Sequence, residues 1–209
     1  VLKRGERDII ERFNTVTIAF ISLRLSPETT SRIDLLRELK AGTKTVLSKL
    51  SYRLQRSTKG PQLDNSDWEY FGLYAGTNDR ASPHTHLILY LNTDSLDKSV
   101  LEPLVESYVE ECEYASMRKH GPESDAITVR SGDAIPFLDG DDTTALSTYV
   151  GGQLAHLKPL DIAELDDLLH YSTIHADGNT TFFKSNGFPN MSETDTENVS
   201  PNFDIDISL

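Results

Sequence analysis

Residues 68–91 have the sequence WEYFGLYAGTNDRASPHTHLILYL, which predicts a β-hairpin. Its two arms, 68–76 and 84–91, are rich in aromatic and aliphatic residues, and the turn-like segment TNDRASP joins them. The second arm begins with two histidines, His84 and His86, one residue apart. Because successive side chains of a strand alternate between its faces, both imidazoles point the same way. The hairpin therefore predicts an interior strand that carries two neighbouring imidazoles.

The segment before the hairpin predicts a strand followed by a helix. Residues 15–25, TVTIAFISLRL, are rich in β-branched and aromatic residues and lead into Ser26-Pro27, a typical helix start. From 31 to 54, apolar residues recur at spacings of three and four, with Gly42 as a weak point or a break. The polar face of this helix carries five cations: Arg32, Arg37, Lys40, Lys44 and Lys49. Such a face either contacts DNA phosphates or is simply solvated.

The segments after the hairpin complete an alternation of strands and helices. Apolar residues from Val100 to Cys112 form one helical stripe, and residues 126–131 predict a short strand. Helices are also expected to begin near Thr143 and to cover 161–176. The order β, α, β, β, α, β predicts an α+β protein, in which an antiparallel sheet of ferredoxin-like topology has its helices packed mainly on one face.

Length and composition predict a single soluble domain. The 209 residues suffice for one well-packed core, expected over 1–189, with 190–209 as an acidic, flexible tail. No apolar run approaches the roughly 20 residues that a bilayer span needs, and no secretory signal opens the chain. The lone Cys112 cannot form an internal disulfide and is expected to be a small buried residue. These features predict a cytoplasmic protein.

The charge is distributed unevenly along the chain. The formal net charge is −13, yet residues 1–60 hold 13 Lys or Arg against 6 Asp or Glu, whereas residues 61–209 hold 7 against 27. A basic amino-terminal third is able to meet DNA while the acidic remainder stays solvated, and an acidic surface also suits a salt-rich cytoplasm. A merely acidic, soluble protein explains the charge equally well.

The spacing of the two histidines suits metal binding but does not establish it. Side chains two residues apart on a strand lie about 7 Å apart, so the two rings are able to converge on one divalent ion. A carboxylate usually completes such a site. Two half-exposed histidines at a strand end are the alternative.

Four further motifs accompany the histidine pair and its strand, PHTHLILYLN (83–92). They are WEYFGLYAGTNDRASPHTH, TVTIAFISL, LSTYVGGQLAHL (146–157) and FFKSNGF (182–188). Together they resemble the HUH endonucleases, and within them the rolling-circle replication initiators of haloarchaeal plasmids and viruses. The strand PHTHLILYLN is similar to the metal motif of that family. The four other motifs are similar, in the order given, to its approach hairpin, its first strand motif, its tyrosine helix and a carboxy-terminal signature. The acidic composition fits the same origin.

The resemblance implies a fold, a site and a reaction. The fold would be a five-stranded antiparallel sheet of RRM-like topology. His84 and His86 would hold Mg²⁺ or Mn²⁺ at the scissile phosphate of single-stranded DNA at a replication origin, and the hydroxyl of Tyr149 would attack that phosphate. The implied product is a phosphotyrosine joined to the DNA 5′ end, with a free 3′ hydroxyl that primes synthesis. Host replication proteins are implied as further partners, and a membrane is not.

The chain departs from the family pattern at several positions. Thr85 stands where the family has a bulky apolar residue, and Gly152 stands where many relatives have a lysine three residues after the tyrosine. No second tyrosine follows Tyr149 at helical spacing, so the chain resembles the one-tyrosine enzymes, in which a second strand transfer needs another protomer, another protein or water. The third metal ligand stays open between Glu69, Asp79, an asparagine and water.

Two other functions remain open from the sequence. The same sheet topology also occurs in single-strand nucleic-acid binders, so a non-catalytic origin-recognition module is the first alternative. A two-histidine phosphoesterase is the second, but it requires a second His-x-Thr or His-x-Ser motif related by internal symmetry, and the chain has no such copy. The origin sequence, the oligomeric state and the role of the Ser185-Asn186-Gly187 stretch are left undetermined.

Overall fold

The computed structural model describes residues 2–26, 32–76, 83–135 and 182–188, which form one sheet and the helices around it. The predicted third helix near Thr143, the predicted helix over 161–176 and the acidic tail over 190–209 lie outside the described residues. The helices are α1 (Leu2–Arg12), α2 (Arg32–Gln55), α3 (Glu102–Glu111) and α4 (Met117–His120). The strands are β1 (Thr17–Arg24), β2 (Trp68–Gly76), β3 (Pro83–Leu91), β4 (Ile127–Ser131) and β5 (Phe182–Lys184).

The sheet is antiparallel and five-stranded, which confirms the predicted α+β fold. Its strand order is β4-β1-β3-β2-β5. The first four strands have the ferredoxin-like order, and β5 adds to the outer edge of β2. The histidine strand β3 is the central strand, paired with β1 on one side and with β2 on the other. The hairpin and the interior position expected for this strand are therefore both correct.

Apolar side chains fill both faces of the sheet. One face contributes Ala19, Ile21, Leu87 and Leu89 to a core shared with α2 and α3. The opposite face contributes residues such as Ile88 to a second core beneath α1. The main helices thus share one face as expected, but α1 covers part of the other face and was not predicted. Within the described ranges, no helix is long and apolar enough to cross a bilayer.

Helix α2 runs without interruption through Gly42, where the sequence had indicated a weak point or a break. A Cβ at this position would lie 2.5 Å from Cys112 Sγ and 2.6 Å from Cδ2 of Tyr108. These atoms belong to the end of α3 and its cap, so the glycine allows the two helices to approach closely. Cys112 is buried, as expected.

The Ser185-Asn186-Gly187 stretch ties the late strand β5 to β2 and to α1. Ser185 exchanges two hydrogen bonds with the backbone of Tyr70: its amide donates to the Tyr70 carbonyl, and its hydroxyl accepts from the Tyr70 amide, each at 3.0 Å. The same hydroxyl also bonds to the carboxylate of Glu69. Arg12 donates to Glu69 at 2.9 Å and to the Gly187 carbonyl at 3.4 Å. The stretch therefore has a structural role: it joins the two ends of the described chain.

Two phenylalanines of this carboxy-terminal segment pack directly on glycines. Phe188 is 1% exposed, and its ring occupies the space that a Cβ of Gly5 in α1 would need. Phe183 does the same above Gly72 in β2. Both contacts depend on the missing side chain, because any larger residue would overlap the ring.

Candidate active site

The two imidazoles project from the start of β3 and converge at their Nε2 atoms. His84 Nε2 and His86 Nε2 are 3.0 Å apart, and the two rings meet edge to face with centroids 4.6 Å apart. His84 is 7% exposed and His86 is 2% exposed. The half-exposed histidines of the alternative interpretation are therefore not what the structure shows.

The neighbouring strand β1 supplies the surroundings of the pair. Phe20 stacks on the His86 ring at a centroid distance of 5.1 Å. Ser22 lies opposite His86 in the strand register, and Arg24 lies opposite His84. The Arg24 Nε donates to Ser22 Oγ at 3.2 Å, and the Arg24 side chain is exposed. The pair thus has an apolar ring at one end and a solvent-accessible guanidinium at the other.

Burial keeps His86 uncharged. Its pKa is lowered to about 3, mainly because the surroundings desolvate the charged form, and further because of the nearby His84 and Arg24 charges. A neutral imidazole has a free lone pair, and this is the form that binds a metal ion. The environment therefore holds the ring in the protonation state that a ligand requires.

The spacing of the two nitrogens fits a divalent ion. Two ligands at roughly 2.1 Å from one ion, at right angles to each other, are separated by about 3.0 Å. The Nε2 atoms are 3.0 Å apart, which is also the length of a hydrogen bond between one protonated and one unprotonated ring nitrogen. Among the described residues, no group of three or more His, Cys, Asp or Glu side chains is placed to hold an ion. A metal ion at this pair would therefore have two described ligands, and other ligands would have to complete its shell.

A buried polar contact on the opposite face of β3 holds the histidine strand on α2. Thr85, between the two histidines, forms a hydrogen bond of 3.0 Å with Thr43 of α2, and both residues are fully buried. Thr43 also bonds to the hydroxyl of Tyr74, whose pKa burial raises to about 12. A threonine in place of the family's apolar residue is accommodated because α2 provides a matching hydroxyl.

Glu69, one of the expected third ligands, does not lie with the histidines. It pairs with Tyr90 in the register, four residues along β3 from His86, which corresponds to about 13 Å. Its carboxylate is instead bound by Arg12 and Ser185. Of the options left open for the third ligand, Glu69 is not positioned beside the histidines, because the hairpin register places it towards the other end of the sheet.

Two other residues that the sequence analysis proposed for the site have no described position. The candidate nucleophile Tyr149 and the other candidate ligand, Asp79, lie outside the described residues. Two other tyrosines, Tyr90 and Tyr108, are fully buried, with their hydroxyls bonded to Glu6 and to the Arg24 carbonyl. Neither phenol is accessible to a DNA strand in this conformation.

The chain was compared with protein-family models, curated proteins and solved structures. None of them matches. The similarity to HUH endonucleases therefore rests on the motif residues, and the fold and the histidine geometry are independent of it.

Sequence reasoning missed Ser22 and Arg24, which the sheet brings beside the histidines. Both lie in a segment that was correctly predicted as a strand, and their spacing of two residues places them on one face. The sequence does not show which face of β1 meets the imidazoles. The pairing of Ser22 with His86 in the sheet sets that face. An arginine at the end of an apolar strand was the available signal.

Proposed function

We propose that this chain is a metal-dependent endonuclease of the HUH type, which nicks single-stranded DNA at an origin and starts rolling-circle replication of a plasmid or virus. The observation that carries the proposal is the pair of buried Nε2 atoms, 3.0 Å apart, on the central strand of the sheet. Because replicating DNA would be its substrate, we expect the protein to act in the cytoplasm together with host replication proteins.

The residues beside the pair suit a phosphodiester substrate. His84 and His86 would hold Mg²⁺ or Mn²⁺, and the bound ion would polarise the scissile phosphate. Two imidazoles alone suit softer ions such as Zn²⁺, whereas phosphate and water oxygens are the ligands that Mg²⁺ and Mn²⁺ prefer. Arg24 offers N–H donors to a non-bridging phosphate oxygen.

Tyr149 is the proposed nucleophile, on the strength of its motif. Its oxygen forms a bond to phosphorus and loses its proton, the bond from phosphorus to the 3′ oxygen breaks, and the 3′ oxygen takes up a proton. The DNA 5′ phosphate stays on the tyrosine until a second transfer releases it. With one tyrosine in the motif, that transfer requires another protomer, another protein or an activated water.

The proposal is tested by looking for a covalent adduct between protein and DNA. The full chain is incubated with a pool of labelled single-stranded oligonucleotides of random sequence, with Mn²⁺, Mg²⁺ or Zn²⁺ in separate reactions. We expect a labelled protein band that survives boiling in detergent, with Mn²⁺ or Mg²⁺ and not with EDTA. Mass spectrometry of tryptic peptides should locate the nucleotide on Tyr149.

Two variants separate the enzyme from a simple DNA binder. Tyr149→Phe should lower adduct formation by at least about 10³-fold while DNA binding is retained. His84→Ala/His86→Ala should lose the adduct together with the calorimetric signal for Mn²⁺ binding. DNA binding by the unmodified chain with no adduct under any metal would instead establish the non-catalytic module, and an adduct on another tyrosine would remove the role given to Tyr149.

A further inference from the structure

A pocket lies at the carboxy-terminal end of α2, away from the histidines. It has a volume of about 110 Å³ and is formed by the last turns of α2, the loop that follows, and the residues that lead into α3. Its walls contain three cationic and three hydroxyl side chains: Arg53, Arg56, Lys59, Ser57, Thr58 and Ser99. A cavity of roughly 150 Å³ holds benzene, so this pocket is sized for one small group.

The shape of the pocket is fixed by the backbone around it. The loop turns sharply because the Lys59 amide donates to Ser57 Oγ at 3.2 Å. Gly60 then lies against Val100, since a Cβ there would be 3.1 Å from a Val100 methyl carbon. On the other wall, the Ser99 amide donates to Asp97 at 2.8 Å. Arg53 is therefore presented by the last turn of α2, and Arg56 and Lys59 by a following loop that is packed on the body of the protein.

The charges around the pocket favour an anion. Two carboxylates lie on the α3 side. Glu102 is within 3.9 Å of Lys98, and Asp97 is exposed, with its pKa lowered mainly by its bonds to Ser99 and further by the charges of Lys59 and Lys98. Neither carboxylate lines the pocket, whereas Arg53, Arg56 and Lys59 do. All three cations belong to residues 1–60, which hold 13 Lys or Arg against 6 Asp or Glu.

The cations that the sequence had indicated are less suited to this role. Arg37 is paired with Asp34 at 3.1 Å, and Lys49 donates to Ser107 at 2.9 Å. Lys40 lies over the Tyr74 ring, and burial lowers its pKa. Three of these five cations are therefore engaged by neighbouring groups, whereas Arg53, Arg56 and Lys59 line the pocket.

We propose that this pocket binds a backbone phosphate of DNA, at a position distinct from the phosphodiester that is cut. Its identity as a DNA phosphate rests on the proposed function, while the preference for a phosphate rests on the pocket. Tyr52 borders the pocket and is 56% exposed, with the Arg56 guanidinium over its ring at 5.0 Å. A flat, exposed ring beside phosphate-binding cations suits a nucleotide base, which free phosphate lacks.

One phosphate cannot occupy this pocket and the histidine site at once. Thr43 of α2 contacts the histidine strand, and Tyr52 lies nine residues further along the helix, or about 14 Å. The pocket lies on the side of the sheet covered by α2 and α3, whereas the imidazoles project from the face on which α1 packs. The same DNA molecule would therefore reach the pocket with a segment outside the nicked site.

The test measures binding of the full chain to a fluorescein-labelled single-stranded oligonucleotide in EDTA, where no cleavage occurs. Arg56→Ala/Lys59→Ala should weaken binding by roughly tenfold near 0.1 M salt, and should make the slope of log K against log salt shallower by about 1.4. Arg37→Ala/Lys44→Ala removes the same charge from the exposed face of α2 and should leave both quantities unchanged. Arg56→Lys/Lys59→Arg should restore binding.

Three outcomes would overturn the proposal. They are equal losses in the two alanine pairs, no loss in the pocket pair, and amide NMR shifts at residues 57–59 that appear with inorganic phosphate but not with the oligonucleotide. Thermal unfolding confirms that each variant is folded. Because the measurement needs neither metal nor Tyr149, it can fail while nicking persists, and nicking can fail while pocket binding persists.

Discussion

At the scale of single residues, Thr85 shows how the site depends on the opposite face of its strand. The two histidines point to one side of β3, while Thr85 points into the core beneath α2 and bonds to Thr43. A hydroxyl in that core is stable only because it has a partner. The contact fixes the strand position from which both imidazoles project, so a core hydrogen bond supports the geometry of the site.

This leads to a prediction for the threonine pair. Thr85→Val leaves the Thr43 hydroxyl with one partner fewer and should lower the free energy of unfolding by about 1 kcal/mol, whereas Thr43→Val leaves two hydroxyls unmatched and should cost about 2 kcal/mol. The double variant should lose less than the sum, because no buried hydroxyl of the pair remains unpaired. Urea denaturation measures all three, with exposed Thr15→Val as the control. Strict additivity would mean that the hydrogen bond contributes nothing.

At the scale of elements, the contact between α2 and α3 is set by one glycine. Gly42 gives the Sγ of Cys112 and the ring of Tyr108 room to lie against the backbone of α2. Sequence alone assigned this glycine a helix-weakening role, since glycine is a poor helix former. The structure explains the glycine at this position: α2 and α3, which cover the larger core, contact each other at Gly42.

Replacement of this glycine tests the interpretation. Gly42→Ala gains about 1 kcal/mol of helix propensity, but the new methyl overlaps the side chains of α3, which costs about 1–3 kcal/mol. We expect a net loss of unfolding free energy. The matched control is Ala41→Gly at the exposed neighbouring position, which should cost about 1 kcal/mol from propensity alone. A Gly42→Ala variant more stable than the unmodified chain would show that α3 is not held this closely.

At the scale of the whole molecule, the first and last described segments close the fold together. The Arg12 contact with Gly187 spans 175 positions of the chain. Phe188 packs between α1 and the sheet, where it meets the rings of Phe71 and Tyr90 at centroid distances of 5.4 and 6.1 Å. The second core beneath α1 therefore depends on residues from both ends of the described chain.

Removal of the Phe188 ring should loosen α1. Phe188→Ala should lower the free energy of unfolding by about 3–5 kcal/mol, the usual cost of removing a buried ring. Limited proteolysis should then cut within α1 faster than in the unmodified chain, because the helix loses part of its packing surface. Asn186→Ala, an exposed change in the same segment, should alter the free energy by less than about 0.5 kcal/mol. Equal effects of the two substitutions would contradict this role.

The hairpin, its central strand and the two main helices could be predicted because their signals are local. A period of two places His84 and His86 on one face whatever surrounds them, and apolar spacings of three and four define α2 and α3. α1 was not predicted from the sequence. Its few apolar residues, such as Ile9, are buried only because the helix packs on the second face of the sheet. The sequence left Glu69 open as a ligand because proximity to His86 depends on register, which sequence distance does not specify.

The sequence by itself determined that two imidazoles are neighbours on one face of a strand, since that follows from strand geometry alone. Only the tertiary structure decided that their Nε2 atoms converge to 3.0 Å, that Arg24 lies opposite His84, and that Glu69 is bound by Arg12 instead. The physical reason is that a side chain's direction along its own strand is a local property. Which side chains it meets depends on the pairing of strands that are distant in the chain.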